Sequence, residues 1–160
     1  MKLFINIFIT ILITLLIINC SGENEKKLFF RVTRIVDGDT FWVVDEALNR
    51  QKIRLIGIDT PELKHGNEPE EFYAQAAKEF LIDLIADREI RLEFDQEHTD
   101  KYGRTLAYAY VDDTVFVNKT LVQKGYAHKL PIPPNTKYAT LFTQQERLAK
   151  SLKLGIWQQP

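Results

Sequence analysis

The sequence predicts a small Greek-key β-barrel of the OB type, five short strands carrying three helices. Three observations lead there. Five short runs alternate apolar with polar residues, or are rich in β-branched and aromatic side chains, and turn signals bound each one. The apolar period lengthens from two to that of a helix after the third run, and again after the fifth. No repeat, low-complexity tract or linker divides the chain after residue 27.

The chain opens with Met1-Lys2 and then Leu3–Ile18, apolar except for Asn6, Thr10 and Thr14. That stretch is shorter than the roughly 20 residues of a transmembrane helix. A basic start with a short apolar core reads as an export signal, an uncleaved membrane anchor being the alternative. Residues 1–19 are therefore expected to be a signal peptide, 20–27 a flexible tether, and 28–158 the folded domain. "LIINC" resembles the lipobox of bacterial lipoproteins, with Asn19 in place of the usual small residue and Cys20 as the lipid-bearing cysteine. Acylation there would anchor the protein to a membrane without spanning it.

In the domain, Leu28–Val36 alternates as a strand should. Asp37-Gly38-Asp39 turns the chain, and Thr40–Val44 is the second strand. Gln51–Ile58 is the third. From Glu70 the pattern is helical, with Tyr73, Ala76, Ala77, Phe80, Leu81, Leu84 and Ile85 on one face. Glu89–Phe94 and Thr105–Val111 complete the strands. Val117–Lys124 is a short helix stopped by Gly125. After the extended "HKLPIPPNT", Thr140–Leu152 is the last helix, with Leu141, Leu148, Ala149 and Leu152 as its apolar stripe. Cys20 is the single cysteine, so no intrachain disulfide supports the fold.

Charge narrows the function. The full chain has 21 Lys and Arg against 22 Asp and Glu, a net charge of −1. One of those lysines, Lys2, lies in the leader, so the domain is slightly acidic. A sequence-blind nucleic-acid coat needs a broad basic face, so any polyanion must bind at a local cluster.

Two acidic turns, Asp37-Gly38-Asp39-Thr40 and Asp59-Thr60-Pro61-Glu62, each close a β-run. Taken singly, each is an ordinary turn or helix cap. If their strands are neighbours, both turns meet at one rim, and gathered carboxylates call for a cation such as calcium, which takes oxygen ligands. Arg54, inside the third run, needs an anionic partner. Asp59 or Glu62 could serve as a salt bridge, or a phosphate could be gripped by two hydrogen bonds. Lys101, Tyr102 and Arg104 form a cation–aromatic–cation cluster suited to a nucleotide. His65, His98 and His128 lack metal-ligand spacing and read as surface residues. Asn118-Lys119-Thr120 fits a glycosylation sequon, discounted because the lipobox points to a bacterial chain.

These residues resemble the staphylococcal nuclease family. The matching stretches are "IVDGDTFWV", "IRLIGIDTPELKH", "EFDQEHTDKYGRTLAYAYVDD", "VNKTLVQKGYA" and "LKLGIW", in the family's order over about residues 30–157. The resemblance implies an OB barrel with three helices. It also implies a calcium-dependent endonuclease acting on DNA, with RNA as a further candidate, and leaving 3′-phosphate ends. It makes Asp39, Asp59 and the Thr60 carbonyl calcium ligands, and Glu62 the general base. Arg54 and Arg104 hold the scissile phosphate, on the far side of the phosphorus from Glu62 in the case of Arg104. Lys101 and Tyr102 contact a neighbouring phosphate. Expected with it are a monomer, nucleic acid as partner, and an exported or envelope-anchored location. Two departures stand out. "HGNEPEEF" is acidic where the type member has lysines, and "HKLPIPPN" lacks the two tyrosines that line its base pocket. Weaker grip on long DNA is the expected consequence. The competing expectations are a barrel of this kind that binds nucleic acid without catalysis, and a lipoprotein that binds a protein or oligosaccharide.

Overall fold

The computed structural model describes residues 29–64, 66 and 69–158. The export signal, Cys20, the tether and His65 lie outside the described residues.

Five strands close a barrel. They are β1 (Phe29–Ile35), β2 (Thr40–Val44), β3 (Arg50–Leu55), β5 (Glu89–Glu93) and β6 (Thr105–Val111). Their order is β3-β2-β1-β5-β6, and a parallel β3–β6 pairing joins the ends. Every other barrel pairing is antiparallel. Closure leaves no long strand edge unpaired. The alternation read from the sequence is the cause of inside and outside. Phe41 and Val43 of β2, and Ile53 and Leu55 of β3, fill the interior. Trp42, Arg50, Lys52 and Arg54 alternate with them on the outer face.

The third run behaves differently from its expectation as one strand. β3 stops at Leu55, the chain turns at Ile56, and Gly57–Asp59 forms a separate strand, β4. β4 pairs with β8 (His128–Leu130), so "HKL" of the extended segment is a strand. Gly57 makes the break possible. Its φ is +77°, and a Cβ there would sit 2.7 Å from the Phe142 ring. Asn118, fully buried, secures the same corner: its side-chain amide donates to the Ile56 carbonyl at 2.9 Å and accepts from the Ala109 N–H at 3.0 Å. The sequon thus belongs to a core residue.

Three helices cover the barrel. α1 (Ala74–Ile85) begins later than Glu70 because Tyr73 takes a left-handed φ of 74° just before it. Its buried line is Ala74, Ala77, Leu81 and Ile85. α2 (Val117–Gln123) follows a two-residue strand, β7 (Val115–Phe116), paired with β6. α3 (Ala139–Ser151) corrects the expected stripe. Its buried residues are Phe142, Glu146 and Ala149, whereas Leu148 and Leu152 are 43% and 59% exposed. The face is set by Phe142, and Glu146 is held inside by accepting from the Lys129 N–H at 3.0 Å and from Lys150 Nζ at 2.9 Å. A charged residue in the buried line hid it from an apolar count.

Candidate active site

The two acidic turns do meet. A Cβ on Gly38 would lie 2.8 Å from Thr60 Oγ1, so only glycine lets the turns approach this closely. The Thr60 N–H donates to Asp39 Oδ2 at 3.1 Å, and the Thr40 hydroxyl donates to Asp39 Oδ1 at 3.0 Å. Asp39 is 4% exposed.

Arg54 sits between the acids. Register places it opposite Thr40 on β2, next to Asp39. Its Nη1 donates to the Leu55 and Ile58 carbonyls, both at 2.9 Å, and lies 2.9 Å from Asp39 Oδ2. Its Nη2 donates to Asp59 Oδ1 at 2.7 Å. The kink at Ile56-Gly57 is what turns the Ile58 carbonyl and Asp59 back towards a side chain four or five residues earlier. The salt-bridge partner foreseen for Arg54 is therefore Asp59, joined by Asp39; Glu62 is not bonded to it.

This end carries more negative than positive charge. Burial pushes the Asp39 carboxyl up to about 7; Arg54 opposes the shift and Asp37 adds to it. The Glu62 carboxyl is also raised, by burial first and then by Asp37 and Asp59, against the pull of Arg54. Its backbone is fixed reciprocally by Glu71: the Glu62 N–H donates to Glu71 Oε2 at 2.9 Å, and the Glu71 N–H donates to the Glu62 carbonyl at 3.0 Å. One end of the acidic "GNEPEE" thus positions the preceding turn.

A calcium ion fits this chemistry. Two carboxylates and a carbonyl are hard oxygen donors, and the single Arg54 guanidinium does not offset the burial of Asp39. Among the described residues no three His, Cys, Asp or Glu side chains form a metal cage. A cation here would keep water in its remaining positions.

The other face of Arg54 opens on a cavity of about 520 Å³. Arg104, Lys101, Tyr102, Leu130 and Ile132 share its walls. Asp100 clamps Arg104: its Oδ2 accepts from Arg104 Nε at 2.6 Å, and its Oδ1 accepts from the Arg104 and Tyr102 N–H groups, both at 2.9 Å. Burial raises the Asp100 carboxyl, but these hydrogen bonds outweigh it and hold it below its ordinary value. Tyr102 is 70% exposed and stands between two cations, Lys101 Nζ at 5.0 Å and the Arg104 guanidinium at 5.5 Å from its ring. Leu130 and Ile132 occupy the wall where aromatic residues were expected to be absent.

All eight sequence-predicted site residues of the domain thus fall in two adjoining groups. Asp39, Asp59, Thr60 and Glu62 gather on one side of Arg54; Arg104, Lys101 and Tyr102 gather on the other. Sequence reasoning missed Glu71 and Asp100. The second had a signal: an acid four residues before an arginine, across a tight turn with Gly103.

Comparison with known proteins agrees with this architecture. The staphylococcal nuclease homologue family model matches residues 52–159. A thermonuclease of Staphylococcus intermedius is 40% identical over 129 residues, covering 81% of this chain and 76% of the relative. A thermonuclease of Staphylococcus hyicus is 37% identical over 137 residues, 86% of this chain and 79% of the relative. Endonuclease YncB of Bacillus subtilis is 39% identical over 139 residues, 85% of this chain and 65% of the relative. With its closed five-stranded barrel and three helices, the chain belongs to the staphylococcal nuclease family and is a nuclease, a hydrolase whose substrate is nucleic acid.

Proposed function

We propose that this nuclease is a calcium-dependent endonuclease that cuts DNA, with RNA as a second substrate, and leaves 3′-phosphate ends. One observation carries the reading. Arg54 is bonded to the acid pair on one side and faces, on the other, a cavity it shares with Arg104.

In this reading Asp39, Asp59 and the Thr60 carbonyl hold the calcium. When bound, the ion supplies positive charge beside the phosphate and open positions for water. Glu62 accepts the proton of the attacking water, and its raised carboxyl makes it a stronger proton acceptor than an ordinary glutamate. Water oxygen bonds to phosphorus, the P–O5′ bond breaks with O5′ taking a proton from solvent water to leave as a 5′-hydroxyl, and the phosphate stays on the 3′ side. Arg54 and Arg104 stabilise the charge that builds on the phosphoryl oxygens. Lys101 and Tyr102 hold the neighbouring phosphate.

The test is single-stranded DNA with the full chain, in calcium and then in chelator. Cleavage only in calcium, with 3′-phosphate ends, is expected; cleavage that ignores calcium, or none at all, rejects the reading. We further infer a monomer that is exported and carries lipid on Cys20, with residues 28–158 as its nuclease domain. The basic, apolar leader and "LIINC" support export and lipidation, and labelling with a fatty acid checks them.

A further inference from the structure

Beyond the cavity, a second hollow continues along the barrel wall. It has a volume of about 400 Å³ and is lined by Trp42, Lys52, Tyr102, Gly103 and Arg104. Tyr102 and Arg104 line both hollows, so the two adjoin at these side chains. The site residues discussed above do not explain Trp42 or Lys52.

The barrel's register builds this surface. Trp42 lies directly opposite Lys52 on β3 and opposite Arg34 on β1. The Arg50 guanidinium stands 4.9 Å from the Trp42 ring. Arg50, Lys52 and Arg54 alternate on one face of β3, so neighbouring cations are about 7 Å apart along the strand. That row ends in the Arg54 of the candidate active site. Arg34, Arg50 and Lys52 have no carboxylate partner among the described residues. By contrast, Arg91 on β5 is paired with Asp113. A large aromatic ring ringed by unpaired cations, on a chain of net charge −1, is a concentrated anion- and base-binding surface.

We propose that Trp42, Lys52 and Arg50 form an accessory platform for single-stranded nucleic acid, on which a nucleotide beyond Tyr102 stacks its base on Trp42 and sets its phosphate between Lys52 and Arg50. A single strand is the occupant because stacking on an indole needs an unstacked base face, and the cation row follows a backbone leading away from Arg54. This platform rests on the nuclease reading for its direction, yet its binding can be measured without cleavage. It would supply, on the barrel wall, grip that the acidic loop beyond Glu62 does not.

The experiment uses the full chain in chelator and two fluorescein-labelled probes. One is an oligothymidylate of about twelve nucleotides, within the reach of one such barrel. The other is a thymidine dinucleotide. Trp42→Leu and Lys52→Gln are each expected to weaken the long probe about tenfold, as loss of one stacked base or one phosphate contact should. Dinucleotide affinity should hold within about twofold. Lys52→Gln should also flatten the salt dependence by about one ion, which loss of packing alone would not do. Conservative Trp42→Phe should restore most of the affinity. Equal affinities of wild type and variants for the long probe would overturn the platform and leave the nuclease reading intact. A wild type that binds the long probe through Trp42 but never cuts DNA would defeat the catalytic reading and keep the platform. Failure of the wild type to bind the long probe at all would also overturn it.

Discussion

The two sides of Arg54 are built on opposite principles. On the acid side, partners come from distant parts of the chain, such as Thr60 and Asp39, and the carboxylate between them is almost fully covered. On the cation side, Asp100, Tyr102 and Arg104 come from one exposed loop and bond within four residues of each other. Buried, long-range bonding fixes geometry but ties the site to the stability of the whole barrel. Local bonding on an exposed loop lets the grip adapt to substrate at little cost to the fold.

Replacing each arginine with alanine breaks that comparison most directly. Both Arg54→Ala and Arg104→Ala should lower kcat on single-stranded DNA by about 10²–10³-fold, the cost of one preorganised charge at a developing oxyanion. Their stabilities should differ. Arg54→Ala strands the buried Asp39 carboxylate and should cost about 3–5 kcal/mol in denaturant unfolding. Arg104→Ala loses a partly exposed pair and should cost under about 1 kcal/mol. Equal stability losses would mean that the acid side is not the structural half.

A pH series sharpens the same contrast. Asp39 has an ordinary value of 3.8 and is lifted to about 7 in the fold. The folded chain therefore keeps a proton that the unfolded chain gives up, so in chelator stability should fall as pH rises from 3.8 through about 7. Asp39→Asn should remove that part of the slope, and calcium should reverse it by favouring the ionised form. Thermal midpoints of both chains across the window measure it; identical slopes would show that Asp39 does not titrate there. The smallest effect is expected at Asp100→Asn. The amide oxygen still accepts the two backbone N–H bonds, but the bond from Arg104 Nε and the charge are lost, so kcat should fall about tenfold with stability changed by under about 1 kcal/mol.

Local pattern made the barrel readable. β2 and β6 match their expected bounds because each is an unbroken run of β-branched, aromatic and small apolar residues closed by turn residues. It failed where a long-range contact decided the outcome. "LIGI" is continuously apolar, so nothing nearby marks the break at Gly57; the Phe142 ring packed against it is 85 residues away in the chain. The same holds for α3, whose buried Glu146 is explained by a backbone N–H of β8. The acid turns and Arg54 were legible because unlike charges inside a β-run need a partner. Glu71 was not, since a carboxylate that bonds a backbone N–H leaves no periodic trace. Trp42 and Lys52 read as plain strand residues until register placed them opposite each other.

The break at Gly57 has a mechanical side. Asp39 and Arg54 stand on the closed barrel, while Asp59 rides on β4, a ribbon shared with β8. The Arg54 clasp therefore crosses a seam between the closed barrel and a two-stranded ribbon held against the last helix. A cation taken up by Asp39 and Asp59 would rivet that seam. The ribbon's β8 ends in Leu130, a wall of the large cavity, so one short element joins the acid side to the cavity wall.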